Sequence, residues 1–157
     1  LAIETATFDG HEVVSRVVTS LAPLAHRTAR MEIVVASPAA GEPILLRGDP
    51  HRTFQILSNL VHNAIRHGLP GGLVAVSLEP GPDRMARLVV ADTGPGIPGS
   101  EAGEVFERFR RGRGAGAGGA GLGLALVKEL AEAMGGTASL VSREGEGTEV
   151  TVQLPLA

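Results

Sequence analysis

Residues 56–68 read ILSNLVHNAIRHG. Apolar residues recur there at the spacing of an amphipathic helix, yet Asn59 and Asn63 lie on the same side as the apolar residues. Asparagine is a weak helix former and costs free energy to bury without a hydrogen-bond partner. Residues four apart lie about 40° apart around a helix, so the two amides form one polar stripe that Arg66 and His67 extend. Two interpretations stay open: structural hydrogen bonds, or oxygen ligands for Mg²⁺ beside a cationic contact with phosphate.

The bulk composition narrows the class of protein. The chain has 157 residues, 43% of them hydrophobic, which suits one domain with its own core. The net charge of −3 does not favour binding to nucleic acid. Cysteine is absent, which excludes disulfides and cysteine metal sites. No apolar run approaches the ~18 residues of a membrane helix, so we expect no direct membrane insertion.

Turn and cap residues divide the chain into helices and strands. Helices are predicted over 10–30, over 50–67 with Asp49 as the N-cap, and from 122 to the glycines at 135 and 136. Strands are predicted over 31–36, 44–48, 73–79 and 87–92, with a β-hairpin over 137–155. This layout predicts an α+β fold, a two-layer α/β sandwich of a mixed, mainly antiparallel sheet with helices on one face.

A second candidate site is LVVADTGPGIP, residues 88–98. A predicted buried strand delivers Asp92 at its end, and Gly94 and Gly96 follow at alternate positions. Glycines permit close approach of backbone to a ligand, and a carboxylate there can accept a hydrogen bond from an exocyclic amine such as adenine N6. An ordinary turn is the alternative, because D-T-G and P-G are common turn sequences.

Two more stretches complete the set. GAGAGGAGLGLALVKEL, residues 114–130, is glycine-rich and opens directly into a helix, with Gly119, Gly121 and Gly123 at alternate positions. Free N–H groups at a helix start bind anions, so phosphate binding is favoured over a flexible linker.

VFERFRRGRG, residues 105–114, combines two Phe with four Arg. A lid over a nucleotide is favoured over a nucleic-acid patch, because the chain has no Tyr or Trp for base stacking.

Taken in this order, the four stretches resemble the N box, first G box, F box and second G box of the sensor histidine kinase catalytic domain. The Gly145–Thr148 stretch, G-E-G-T, resembles the last glycine-threonine element of that domain. The resemblance covers about residues 31–155, and its wider group is the Bergerat-fold superfamily of gyrase-type topoisomerases, MutL, heat-shock chaperone ATPases and histidine kinases. It implies ATP and Mg²⁺ as cofactors.

The resemblance also implies roles for matched residues. Asn63 would hold the metal, Asn59 would support metal and phosphates, and Arg66 would contact phosphate; these three are the implied catalytic residues. Asp92 would accept from adenine N6, with Thr148 near it. The implied nucleotide-binding set is Asn59, Asn63, Arg66, His67, Asp92, Gly94, Gly96, Ile97, Arg108, Arg110, Arg111, Gly119, Gly121, Leu122, Gly123, Leu124 and Thr148.

Position 59 helps to separate the branches of the superfamily. The ATPases and serine kinases that the chain resembles carry a Glu four residues before the metal-binding Asn, as a general base. Here that residue is Asn59, which favours transfer to a neutral histidine imidazole. A gyrase- or MutL-type ATPase and a non-catalytic nucleotide-sensing module are the alternatives.

The resemblance further implies a domain division and partners. Residues 1–30 would connect to a dimerisation domain, 31–157 would form the catalytic domain, and about 96–119 would form its mobile ATP lid. The motif of the phosphoacceptor histidine is absent, because His11-Glu12 is followed by Val13-Val14-Ser15. The acceptor would therefore belong to a longer, homodimeric parent, a bacterial membrane sensor with this domain in the cytoplasm and a response regulator as partner. The fragment itself is expected to be monomeric.

Overall fold

The computed structural model describes residues 2–36, 42–94 and 120–157. The elements run in the order β1 (Ala6–Asp9), α1 (Gly10–Ala29), β2 (Glu32–Val35), β3 (Leu45–Gly48), α2 (Pro50–His67), β4 (Leu73–Pro80), β5 (Met85–Asp92), α3 (Ala120–Ala133), β6 (Thr137–Arg143) and β7 (Gly147–Pro155). Each predicted helix and strand is found within a few residues of its expected bounds. Strand β1 was not predicted, because four residues give too short a pattern to detect.

The main sheet has five strands in the order β2-β4-β5-β7-β6. Strands β2 and β4 are parallel, and every other neighbouring pair in this sheet is antiparallel. Strands β1 and β3 form a separate antiparallel pair. The predicted α+β sandwich with a mixed, mainly antiparallel sheet is confirmed.

The hydrophobic core lies between the three helices of the described residues and one face of the sheet. Alternate residues of β4, β5 and β7 are buried, as expected where one face of a sheet packs against helices. Its largest fully buried side chains are aliphatic: Met31, Leu46, Ile56, Leu57, Leu78, Leu88, Leu130 and Leu154.

Helix α1 contributes to this same core. Val13, Val14 and Val17 are buried in it, and the helix packs against α2. The helix continues through Pro23 to Ala29. The assignment of residues 1–30 to a connecting segment stays a prediction about the longer chain.

Helix α2 begins as its sequence predicts. Asp49 is its N-cap, accepting hydrogen bonds from the backbone N–H groups of His51 and Arg52, and Pro50 occupies the first turn. Proline suits that position because its missing N–H would have no partner within the helix. The helix ends at His67, where the N–H of Gly68 donates to the carbonyl of Ala64. Within the described part of the chain, no helix is both long and apolar enough to cross a membrane.

Candidate functional site

The polar stripe of α2 lies beside the core of the protein. Asn59 and Asn63 are half-buried, while Arg66 and His67 are exposed. The Nδ2 atom of Asn63 is buried and has no hydrogen-bond partner among the described residues. Leaving a buried donor unpaired costs about 1–3 kcal/mol. The structural-hydrogen-bond interpretation therefore fails for this nitrogen within the described chain, which favours a ligand as its partner.

The second G box lies directly over this amide. A Cβ atom placed on Gly123 would lie 3.6 Å from Nδ2 of Asn63 and 3.9 Å from its Oδ1. These are ordinary contact distances, so a larger side chain at Gly123 would occupy the space above the amide. The fold thus brings together two motifs that are 60 residues apart in sequence.

The first G box meets the C-terminal end of α2. The backbone N–H of Gly94 donates to Oδ1 of Asp92 at 2.8 Å. A Cβ atom on Gly94 would lie 2.9 Å from both the carbonyl oxygen of His67 and the Cα of Gly68. A Cβ atom almost never lies within 3.0 Å of another non-bonded heavy atom, so glycine is required for the end of β5 to pack against the end of α2.

Asp92 has a raised pKa. Burial disfavours its charged form and is the largest cause; the backbone N–H groups of Gly94 and Thr148 and the nearby imidazole of His67 oppose it without reversing it. The folded protein thus places this carboxyl group where its charged form is less well solvated than in water. A half-buried acceptor of this kind suits a ligand that donates a hydrogen bond.

His67 lies close enough to Asp92 to interact with it electrostatically. Partial burial of its imidazole lowers the pKa of His67, the charge of Arg66 lowers it further, and Asp92 partly opposes both. The lowered pKa favours the neutral form of the imidazole at pH 7. A neutral, flat ring at this position is compatible with contact to an aromatic base.

The start of β7 completes the site. Thr148 pairs with Asp92 across the sheet, as the sequence-based placement of Thr148 near Asp92 predicts. Gly147, with φ +123°, precedes it, and a Cβ there would collide with the carbonyl oxygen of Asp92. Glycine at 147 therefore permits the close approach of β7 to the end of β5.

Several predicted site residues receive no structural test. Gly96, Ile97, Arg108, Arg110, Arg111 and Gly119 lie outside the described residues, as does the predicted lid. Gly121 and Leu122 lie within the span of α3. Leu124 is 8% exposed and belongs to the hydrophobic core, so its contact with a nucleotide stays a prediction.

Two hydroxyl groups near the site were missed by the sequence analysis. Thr93 accepts a hydrogen bond from the N–H of Leu73 at 3.0 Å. Ser142 on β6 pairs with Thr148 across the hairpin, with their hydroxyl oxygens 2.9 Å apart. In the sequence, Ser142 is marked only by its position shortly before the predicted turn. That position indicates a contact with Thr148 only when the register of the hairpin is known.

Comparisons with known proteins agree with this geometry. Residues 48–157 match the family described as "Histidine kinase-, DNA gyrase B-, and HSP90-like ATPase". The probable sensor histidine kinase TcrY of Mycobacterium tuberculosis is 45% identical over 118 residues, covering 73% of this chain and 24% of TcrY. Sensor protein GacS of Pseudomonas syringae is 35% identical over 162 aligned positions, covering 99% of this chain and 18% of GacS. The chain thus spans about a quarter or less of these two relatives.

Solved structures give the same result. Full-length ShkA in complex with AMPPNP superposes with a TM-score of 0.85 at 32% identity, over 100% of this chain and 32% of ShkA. The mycobacterial sensor histidine kinase MprB superposes with a TM-score of 0.78 at 31% identity, over 96% of this chain and 98% of the MprB chain.

The chain belongs to the family of histidine kinase-, DNA gyrase B- and HSP90-like ATPases. The prediction of an ATP-binding catalytic domain of the sensor histidine kinase type is confirmed.

Proposed function

We propose that this domain binds Mg²⁺-ATP and transfers the γ-phosphate to a histidine on a phosphoacceptor domain outside this chain. The adenine would lie between His67 and the end of β5, with its N6 amine donating to Asp92. The triphosphate would extend toward Asn63 and the start of α3, where Gly123 places no side chain beside the amide. Arg66 would contact phosphate.

One observation carries the proposal. Helix α2 presents an amide, not a carboxylate, at residue 59, one turn before Asn63. An amide cannot take a proton from water or from a serine hydroxyl at neutral pH, whereas a neutral histidine imidazole needs no such base to act as a nucleophile. The site is therefore better suited to phosphorylating histidine than to hydrolysing ATP.

The transfer itself is a single displacement. An imidazole nitrogen of the acceptor histidine attacks the γ-phosphorus, and the bond from that phosphorus to the β–γ bridging oxygen breaks. ADP departs with the bond's electron pair, and the phosphorylated imidazole loses its ring proton to solvent. The contribution of this domain is to orient the nucleotide and to stabilise charge on the phosphates, which dominate catalysis of phosphoryl transfer.

The donor set around Asn63 fits a magnesium ion bound through the nucleotide. Its Oδ1 is a neutral oxygen ligand of the kind Mg²⁺ accepts, and its unpaired Nδ2 could donate to a phosphate oxygen. Among the described residues, no three His, Asp or Glu side chains cluster as a metal site. Most ligands would therefore come from phosphate and water. When bound, the ion would neutralise charge on the triphosphate.

We extend the proposal to the longer protein. Its acceptor histidine would lie in a dimerisation domain upstream, its phosphate would pass to a response regulator, and it would form a homodimer anchored in a bacterial cell membrane with this domain in the cytoplasm. The support is the short span of this chain within its sensor relatives.

Transfer to an acceptor in trans tests the proposal. The chain would be incubated with Mg²⁺, γ-labelled ATP and the acceptor domain of its parent. We expect label that is stable to alkali and labile to acid, as for phosphohistidine, and its loss in Asn63→Ala. ATP binding without transfer to this acceptor would refute the kinase proposal, and rapid hydrolysis without the acceptor would favour an ATPase.

His62→Ala is the matched control, because His62 is an exposed residue on the same helix, next to Asn63. It should leave both binding and transfer unchanged. Asn59→Glu adds a sharper comparison: if the absence of a base suppresses hydrolysis, this variant should release more inorganic phosphate per phosphohistidine formed than the wild type.

A further inference from the structure

A row of three polar side chains crosses the sheet at the candidate base site. Thr148 on β7 pairs with Asp92 on β5 on one side and with Ser142 on β6 on the other. All three are half-buried and follow the parity of the residues that pack into the core, which are buried in β5 and β7 and partly buried in β6, so they lie on the face that the helices cover. The row therefore lies on the same face of the sheet as the hydrophobic core and forms a polar edge to it.

The two hydroxyl groups of this row are oriented by a carbonyl. Oγ of Ser142 lies 3.1 Å from the carbonyl oxygen of Gly147 and 2.9 Å from Oγ1 of Thr148. A hydroxyl carries one proton, and a carbonyl oxygen can only accept. Ser142 donates its proton to Gly147, so in the contact between the two hydroxyl groups Thr148 is the donor and Ser142 is the acceptor. The lone pairs of Thr148 are then what its hydroxyl presents to a ligand.

The neighbouring carboxylate has the same polarity. Asp92 accepts from the backbone N–H groups of Gly94 and Thr148, and an ionised carboxylate has no proton to donate. Asp92 and Thr148 thus form a pair of acceptors. Adenine carries an amine with two N–H bonds at position 6, whereas guanine and hypoxanthine carry a carbonyl oxygen there, which would face acceptors only.

We propose that Ser142 is a positioning residue for base specificity, which holds the Thr148 hydroxyl as an acceptor so that the site selects a 6-amino purine over a 6-oxo purine. The effect acts through direct contact of the Thr148 hydroxyl with the base. This inference rests on the proposed nucleotide site and adds a residue that the sequence motifs do not mark.

ATP and ITP are the probes, because ITP replaces the 6-amino group of ATP with a carbonyl oxygen. In Ser142→Ala the Thr148 proton is released and can be donated to the 6-oxo group. The preference for ATP over ITP should then fall about tenfold, the scale of one hydrogen bond in a buried site. The fall should come mainly from tighter ITP binding, which mere structural damage would not produce.

Three further variants keep the test decisive. Ser142→Thr retains the hydroxyl and should restore the wild-type preference. Ser139→Ala changes an exposed serine of the same strand on the opposite face and should alter nothing. In a Thr148→Val background, which has no hydroxyl to orient, adding Ser142→Ala should leave the ATP-to-ITP ratio unchanged.

The outcomes separate this inference from the proposed function. A wild-type chain that binds ATP, with the same ATP-to-ITP ratio in wild type and Ser142→Ala, would overturn the role of Ser142 and leave the nucleotide site intact. Equal weakening of both nucleotides in Ser142→Ala would also overturn it, as a structural effect. A wild-type chain that binds neither nucleotide would contradict both proposals.

Discussion

Two aspartates that both accept hydrogen bonds from backbone N–H groups, Asp49 and Asp92, have pKa values shifted in opposite directions. Asp49, at the start of α2, is 5% exposed and accepts from the backbone N–H groups of Glu4, His51 and Arg52. Burial would raise the pKa of Asp49, but these hydrogen bonds and the charge of Arg52 together reverse that, and the net pKa is lowered. At Asp92, near the end of the same helix, burial prevails and the pKa is raised.

The difference indicates a structural role for Asp49, which we call the anchor, and a ligand-binding role for Asp92, which we call the binding group. Asp49 ties three segments together: it caps α2, holds the N-terminal residues through Glu4, and its own N–H lies 3.3 Å from the sulfur of Met134 beyond α3. Its ionised form is stabilised by the fold. The burial of Asp92 is only partly compensated by its hydrogen bonds, so ionising it costs more free energy in the fold than in water, and a donating ligand would reduce that cost. Substitution of Asp49 should therefore change mainly the stability of the fold, and substitution of Asp92 should change mainly the affinity for nucleotide.

Removing the anchor should give the largest effect. Asp49→Ala removes the helix cap and leaves the Glu4 N–H without its partner, so we expect a loss of about 2–4 kcal/mol in the free energy of unfolding. Urea denaturation would measure it. A loss below about 0.5 kcal/mol would show that the three backbone contacts are not stabilising, and the distinction between the two aspartates would fail.

The binding group should show the reverse pattern. Asp92→Asn should weaken adenine nucleotide binding by about 1–3 kcal/mol, the scale of a charge-assisted hydrogen bond, without lowering the free energy of unfolding. Calorimetric titration and urea denaturation would measure the two quantities. Asp83→Asn, an exposed turn residue whose φ of 59° asparagine tolerates, is the matched control. Unchanged affinity in Asp92→Asn would remove Asp92 from the site.

Acidification should separate the two residues by pH. A lowered pKa at Asp49 contributes stability above the ordinary value of 3.8, and that stability is lost as the pH falls through 3.8 toward the lower folded pKa. At Asp92 the pKa is raised, so protonation begins at higher pH and should weaken nucleotide binding before the fold loses stability. Titrations across pH 7 to 3 would compare wild type with Asp92→Asn, whose affinity should lack this step. An affinity loss no earlier than the stability loss would contradict the comparison.

The smallest effect should come from the other aspartate cap. Asp9 caps α1 with one hydrogen bond from the N–H of His11 and is only half-buried. Asp9→Ala should therefore cost about 1 kcal/mol, less than Asp49→Ala, when both are measured by urea denaturation. Equal losses would show that the extra contacts of Asp49 contribute nothing beyond capping.

Local chemistry explains what was predictable from sequence. Asp49-Pro50 marks a helix start and Gly68 its end, because capping and backbone conformation depend on neighbouring residues alone. Alternation along β4 and β5 marks their buried face for the same reason. The Asp92–Thr148 pairing required a resemblance to a known family, since residues 56 positions apart carry no local signal of contact.

The sequence by itself determined the helix carrying Asn59 and Asn63, the strand ending at Asp92 and the absence of a carboxylate at position 59. Only the tertiary structure decided that Gly123 lies beside the Asn63 amide, that the end of β5 packs against the end of α2 at Gly94, and that the hydroxyl oxygens of Ser142 and Thr148 lie 2.9 Å apart. The physical reason is the distance along the chain over which each interaction acts. Propensity and capping act over a few residues of chain, whereas sheet register, burial and the polarity of a hydroxyl pair exist only once distant strands have met.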